Sequence, residues 1–130
     1  MLETGKARKI LPSHLARKDV TFNCSRVGLL VDCLIREDYD LLKIATQDKI
    51  HQNQRASLIP GMADALSQAV QNGAYGAVLS GSGPTLLAFS PSNYAPRVAN
   101  IMKQELSKHS LKAESLILDI DSQGAVILEK

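Results

Sequence analysis

The segment Gly73-Ala-Tyr-Gly-Ala-Val-Leu-Ser-Gly-Ser-Gly-Pro-Thr85 constrains this chain more than any other. A short apolar run, Ala77-Val78-Leu79, leads into Ser80-Gly-Ser-Gly-Pro84, and Thr85-Leu-Leu-Ala-Phe89 follows. Glycines at 81 and 83 permit positive φ, so two strands joined by a glycine turn is the natural reading. Upstream, Met62, Ala65, Leu66, Ala69 and Val70 recur at helical spacing behind Pro60-Gly61, and Gly73 suits the left-handed position just past that helix. A helix therefore feeds directly into a hairpin.

The remaining periodicities set the frame around that unit. Thr4 is placed to cap a short helix carrying Ala7, Arg8 and Ile10, which Pro12 stops. Residues 13–21 read as a polar connection. Val27, Leu30, Val31, Leu34 and Ile35 form one apolar stripe on a helix that Asn23 or Ser25 would cap. Asp38 is a candidate N-cap for another helix, with Leu41, Leu42, Ile44 and Ala45 inward, running to about Arg55. Ser92 or Asn93 begins a helix with Pro96 in its first turn and Tyr94, Val98, Ile101, Met102 and Leu106 inward. Leu116–Ile120, a turn at 121–124 and Ala125–Leu128 read as a second hairpin. The sum is an α+β domain with about four helices and a four-stranded, mainly antiparallel sheet covered mainly on one face.

Length and charge narrow the function classes. One domain over residues 1–130 is the expected organisation. Fifteen Lys and Arg against thirteen Asp and Glu leave a net charge of +2 with no basic stripe, which speaks against nucleic acid. No apolar run reaches the ~20 residues of a membrane span, and a signal peptide is lacking. On a shared helix Cys24 and Cys33 would lie roughly 13 Å apart along the axis, too far for a disulfide. Both read as reduced thiols, and the cytoplasm is the expected compartment.

Three constellations could carry chemistry. The 80–84 turn could point successive N–H groups inward as an anion-binding nest, or its glycines could serve turn geometry alone. It lacks the Gly-Lys-Ser/Thr ending of a P-loop. Asp48, His51 and Arg55 fall on one face if they share a helix; Arg55 could grip an oxyanion with Asp48 steadying it, or the three could be a solvated face. Thr4 and Arg8 lie one helical turn apart. No metal set is apparent.

Taken together the motifs resemble those of homoserine kinases, within the GHMP small-molecule kinase superfamily. Thr4-Gly-Lys-Ala-Arg8-Lys-Ile-Leu-Pro12 is similar to their T-x-x-A-R-x-x-L-P segment. Asp48-Lys-Ile-His51-Gln-Asn-Gln-Arg55 with Leu58-Ile-Pro-Gly61 resembles D-x-x-H-x-x-x-R-x-x-L-I-P-G. The Gly73–Thr85 segment resembles the superfamily's third signature, and Asn23 fits the pattern as well. The resemblance implies a C-terminal domain of ferredoxin-like α/β sandwich plan. It implies a parent enzyme that phosphorylates L-homoserine with MgATP to O-phospho-L-homoserine in threonine biosynthesis. By the same resemblance Arg8 and Arg55 hold the homoserine carboxylate with Thr4 nearby, and Gly81, Ser82 and Gly83 form a phosphate-facing loop. Asp48, His51 and Asn23 support the clamp.

The family's P-x-x-x-G-L-G-S-S phosphate loop occurs nowhere in the sequence. The chain therefore reads as a fragment without the N-terminal ATP-binding domain, holding no catalytic residue of its own and inactive alone. ATP and Mg2+ would be bound mainly by that missing partner domain. A domain face left bare in this way could also drive a homodimer. Two other readings stand beside this one. The parent could be a GHMP kinase for another small alcohol, or the chain could be a non-catalytic amino-acid-binding regulatory module.

Overall fold

A computed structural model describes residues 4–128. Its elements are α1 (Thr4–Lys9), α2 (Arg17–Ile35), α3 (Leu42–Ala45), α4 (Gln52–Arg55), α5 (Met62–Gln71), β1 (Gly76–Leu79), β2 (Leu86–Phe89) and α6 (Ala95–Ser107). Short 3-10 turns at Tyr39–Leu41 and Ala56–Leu58 lead into α3 and follow α4.

The glycine-turn hairpin is formed as expected. β1 and β2 pair antiparallel with Gly76 opposite Phe89 and Leu79 opposite Leu86. Alternation sends Ala77, Leu79, Leu86 and Ala88 to one face of this ribbon, and Gly76, Val78, Leu87 and Phe89 to the other. The first face meets α5 and α6. There Ala69, Ala74 and Val98 are buried with Ala77, Ala88 and Met102, and Ile59 and Met62 pack with Leu79 and Leu86. On the second face Phe89 joins Cys33 of α2 and Leu42 and Ala45 of α3. The expectation of a sheet covered mainly on one face is therefore corrected: helices lie on both faces at the Gly76–Phe89 end. α3 sits so close that a Cβ at Gly76 would meet the Leu42 carbonyl oxygen at 3.0 Å. Only glycine lets the strand backbone approach α3 this closely.

α5 follows its sequence pattern. Met62, Ala65 and Ala69 are buried, Gly61 enters in the left-handed region at φ 79°, and Gly73 leaves in it at φ 110°. α6 begins at Ala95, later than the expected start at Ser92 or Asn93; it carries Pro96 in its first turn and buries Val98, while Tyr94, expected inward, is exposed.

Four expectations are corrected. α2 begins at Arg17, so residues 17–21 are helical and Asn23 lies inside the helix, not at its cap. Its stripe is turned outward: Val27, Val31, Leu34 and Ile35 are exposed, while Cys33 is buried and Leu29 and Leu30 pack beside it. The periodicity was that of an amphipathic helix, but the face covered within this chain is set by the neighbouring 39–45 segment. The helix expected from Asp38 to Arg55 is broken into a 3-10 turn, α3, an irregular stretch at 46–51 and α4. With its short pieces counted, the chain holds six α-helices among the described residues, against the four expected.

Finally, among the described residues the sheet has two strands, not four. The 121–124 turn does form locally, with the Gln123 N–H donating to Asp121 Oδ1 at 2.8 Å and Gly124 at φ 68°. Its flanks form no ladder, and Leu116 (82%), Ile120 (84%) and Ile127 (95%) are exposed. Alternating apolar residues supply a strand face, but no layer within the chain buries it.

A Cβ at Gly73 would meet the Tyr94 ring at 2.5 Å on top of the positive φ. Gly73→Ala is expected to destabilise the chain by about 2–3 kcal/mol in urea unfolding. In a Tyr94→Ala background the same change should cost less, leaving only the backbone part. Equal costs in both backgrounds would show that the ring contact contributes nothing.

Candidate functional site

Between α1, the first half of α2, the 45–55 segment and the 80–85 turn lies an open cleft of ≈ 600 Å³. Thr4, Arg8, Asn23, Asp48, His51, Arg55, Gly81 and Ser82 all line it, so eight of the nine expected site residues come together. Gly83 stands outside the lining, where its N–H donates to the Ser80 carbonyl at 3.0 Å.

Arg55 is the buried member, 8% exposed. Its Nε donates to the Ala7 carbonyl at 3.2 Å and its Nη1 to the Gly81 carbonyl at 2.8 Å. One guanidinium thereby ties α1 to the glycine turn across 48 and 26 positions of sequence. A buried cation needs compensation, and two carbonyl dipoles supply part of it. Among the described residues it has no carboxylate partner, which leaves the Nη2 end for a ligand anion.

Asp48 does not steady that guanidinium, contrary to the expectation from helical spacing. It sits in the irregular stretch before α4, and its carboxylate accepts the backbone N–H groups of Ile50 (3.2 Å), His51 (2.6 Å) and Gln52 (2.5 Å). Asn23 of α2 donates to the same carboxylate at 2.5 Å and accepts the Lys49 N–H at 3.0 Å. Partial burial pushes the Asp48 carboxyl up, but the donors of Gln52, Asn23, His51 and Ile50 outweigh it and hold it below its ordinary 3.8. Asp48 thus fixes the start of α4 and, with it, the place of Arg55. His51 contributes its backbone here, and its exposed side chain borders the cleft.

The turn behaves as a strut. Ser80 donates to the Thr85 carbonyl at 2.9 Å, closing the hairpin, while Gly81 (φ 57°) presents its carbonyl to Arg55. Of the two readings open at the sequence level, turn geometry accounts for these contacts.

Two residues of the site were not singled out from sequence. Gln52 accepts the Leu79 N–H on its Oε1 at 2.6 Å and donates to the Thr46 carbonyl at 3.3 Å, joining α4 to the end of β1. Nothing in the spacing betrays this, because the partner is a strand 27 positions away. Arg26 lines the cleft from α2 with its guanidinium over the Phe22 ring, Cζ 4.1 Å from the centroid. The i,i+4 spacing of Phe22 and Arg26 was a signal available in the sequence.

The fold and this cleft define a class. Residues 30–108 match the family model described as GHMP kinases C terminal, and the chain belongs to that family. Over 127 residues, 98% of this chain and 43% of the relative, it is 48% identical to a homoserine kinase of Desulfitobacterium hafniense. Against a homoserine kinase of a Picosynechococcus species the identity is 43%, over 98% of this chain and 42% of the relative. The crystal structure of homoserine kinase from Cytophaga hutchinsonii superimposes with a TM-score of 0.79 at 33% identity, covering 84% of this chain and 35% of that one. The chain thus spans less than half the length of these relatives.

Because the folded pKa of Asp48 is depressed, its ionised form stabilises the fold. That contribution is complete above the unfolded value of about 3.9 and is lost as pH falls through the lower folded value. Asp48→Asn is therefore expected to be less stable than the parent near pH 6, with the gap closing as pH falls below about 4. Chemical denaturation at several pH values measures this. A gap independent of pH would mean that the carboxylate charge is not what holds the turn.

Proposed function

We propose that this chain is the C-terminal, substrate-binding domain of a homoserine kinase, an enzyme that moves the γ-phosphoryl of MgATP to the side-chain hydroxyl of L-homoserine. The product, O-phospho-L-homoserine, would serve threonine biosynthesis in the cytoplasm. The observation that carries this reading is the meeting of Thr4, Arg8 and Arg55 in the lining of one cleft, with Gly81 and Ser82 of the turn.

Two guanidiniums with Thr4 suit an α-carboxylate, which arginine holds in bidentate fashion. Fixing that end of a four-carbon amino acid leaves its hydroxyl a defined reach along the cleft, and such positioning is the main work of phosphoryl transfer. Asp48 and Asn23 act one step back, through the backbone that sets α4. Gln52 does the same for the end of β1. ATP and Mg2+ would be held mainly by an N-terminal domain. Among the described residues no group of three or more His, Cys, Asp or Glu could hold a metal ion, so no step is assigned to Mg2+ on this chain.

The finer fold follows from the same reading. Val27 borders the cleft, and with the exposed Val31, Leu34 and Ile35 of α2 it offers a surface to the partner domain. Segment 116–128 has the alternation and the turn to add a hairpin to the sheet, completing a four-stranded, ferredoxin-like sandwich. No helix among the described residues is long and apolar enough to cross a membrane.

Steady-state assays test the proposal. In the complete gene product that carries these 130 residues, Arg8→Met is expected to raise the KM for L-homoserine by about 10- to 100-fold and to leave the KM for ATP nearly unchanged. Arg55→Met should do the same and lower stability as well, since its two carbonyl partners lose their donor. The 130-residue chain by itself should show no ATP- and homoserine-dependent turnover. An unaltered homoserine KM in Arg8→Met would remove the carboxylate clamp, and turnover by the chain alone would show that it holds the whole catalytic apparatus.

A further inference from the structure

We infer that Arg26 is a second anion-binding group of the cleft, one that takes the phosphoryl group of the phosphorylated amino acid and not its carboxylate; this rests on the substrate reading above.

Charge bookkeeping within the cleft points this way. Arg8, Arg26 and Arg55 all line it, and among the described residues Asp48 is the one acid that does. The oxygens of Asp48 are already occupied by three backbone N–H groups and Asn23. None of the three arginines forms an ion pair among the described residues. A zwitterionic amino acid brings one carboxylate and one ammonium, so it adds no net negative charge to such a site. A phosphate monoester adds about −1.5 to −2 at neutral pH, with three strong acceptor oxygens. With Arg8 and Arg55 on the carboxylate, the remaining cation, Arg26, fits the added phosphoryl group of the phosphorylated amino acid.

Arg26 has the geometry to receive that group. The Phe22 ring lies against the guanidinium, with Cζ 4.1 Å from the ring centroid, and holds the group at the cleft. Its Nε is buried without any hydrogen-bond partner among the described residues, and its Nη1 reaches only Ser25 Oγ, at 3.4 Å. A buried N–H without an acceptor is costly and is a place where a ligand oxygen is gained cheaply. The Nζ of Lys49 lies 4.3 Å from the centre of the same ring, also without an ion pair. Two cations sharing one aromatic ring with no acid between them suit a doubly charged oxyanion. Arg55 differs from Arg26 in having Nε and Nη1 committed to carbonyls, and it sits with α1 on the carboxylate side of the cleft.

The experiment follows the arginine Nε–H signals of the 130-residue chain by NMR while L-homoserine, O-phospho-L-homoserine or inorganic phosphate is titrated. O-phospho-L-homoserine should bind about tenfold more tightly than L-homoserine and shift the Arg26 Nε–H, which L-homoserine should leave nearly in place. Inorganic phosphate should move the same signal at higher concentration. Arg26→Gln should erase the preference and leave the L-homoserine affinity within about twofold. If that variant fails to fold, the Arg26 signal of the unsubstituted chain still decides. Equal affinities for the two amino acids, equal shifts of Arg26 with both, or no binding of the phosphorylated one each overturn the inference. A phosphoryl preference that persists while the complete enzyme phosphorylates no homoserine would instead overturn the functional reading and leave Arg26 as an oxyanion site.

Discussion

The carboxylate of Asp48 is the point on which the site depends. Three consecutive backbone N–H groups and one side-chain amide converge on it. A regular helix through 46–51 would have turned those N–H groups toward its own carbonyls. With the carboxylate collecting them instead, the chain breaks, α4 starts afresh, and Arg55 is delivered to the space between α1 and the glycine turn. The depressed pKa of Asp48 and the burial of Arg55 are thus two ends of one construction. An acid whose oxygens are taken by backbone donors forms no ion pair with the arginines around it, and with three arginines to one acid among the described lining residues the cleft keeps a net positive charge.

Around this centre the packing is light. The fully buried side chains are mostly alanines, with Leu42 and Cys33 the largest. Small side chains let α5, α6 and the hairpin approach closely, and the Gly76 backbone approaches the end of α3 in the same way. Many larger aliphatic residues lie instead on the outer face of α2 and along 116–128, where nothing among the described residues covers them. Exposed β-branched and leucine side chains gathered on two segments make apolar patches of the kind that other protein surfaces cover.

Legibility in the sequence followed the range of the interactions involved. α5, its left-handed glycines, the hairpin and its turn, and the Pro-started α6 were readable because each depends on residues within a few positions of one another. The cleft's membership was readable through family motifs, but the residues' roles were not. Helical spacing joined Asp48 to Arg55 as a charge pair, whereas the carboxylate turned to Asn23 and to the backbone, and the arginine turned to Ala7 and Gly81. Gln52 and Arg26 escaped notice because one reaches a distant strand and the other makes sense only beside the open cleft. The outward face of α2 was taken for its inward one, since an amphipathic pattern has no label saying which element will cover it.

What the sequence by itself determined is local: which stretches coil, where glycine must take positive φ, where a hairpin closes, and which few polar residues carry the family's motifs. Those follow from backbone sterics and periodicity, which act over a handful of residues. The tertiary structure alone decided which face of α2 is buried, that 38–55 is not one helix, and that Arg55 is a strut as well as a candidate ligand. Each of those outcomes is a competition for the same hydrogen-bond donor or the same apolar face between groups twenty to fifty positions apart. Such a competition is settled only when the folded chain has brought the rivals into contact.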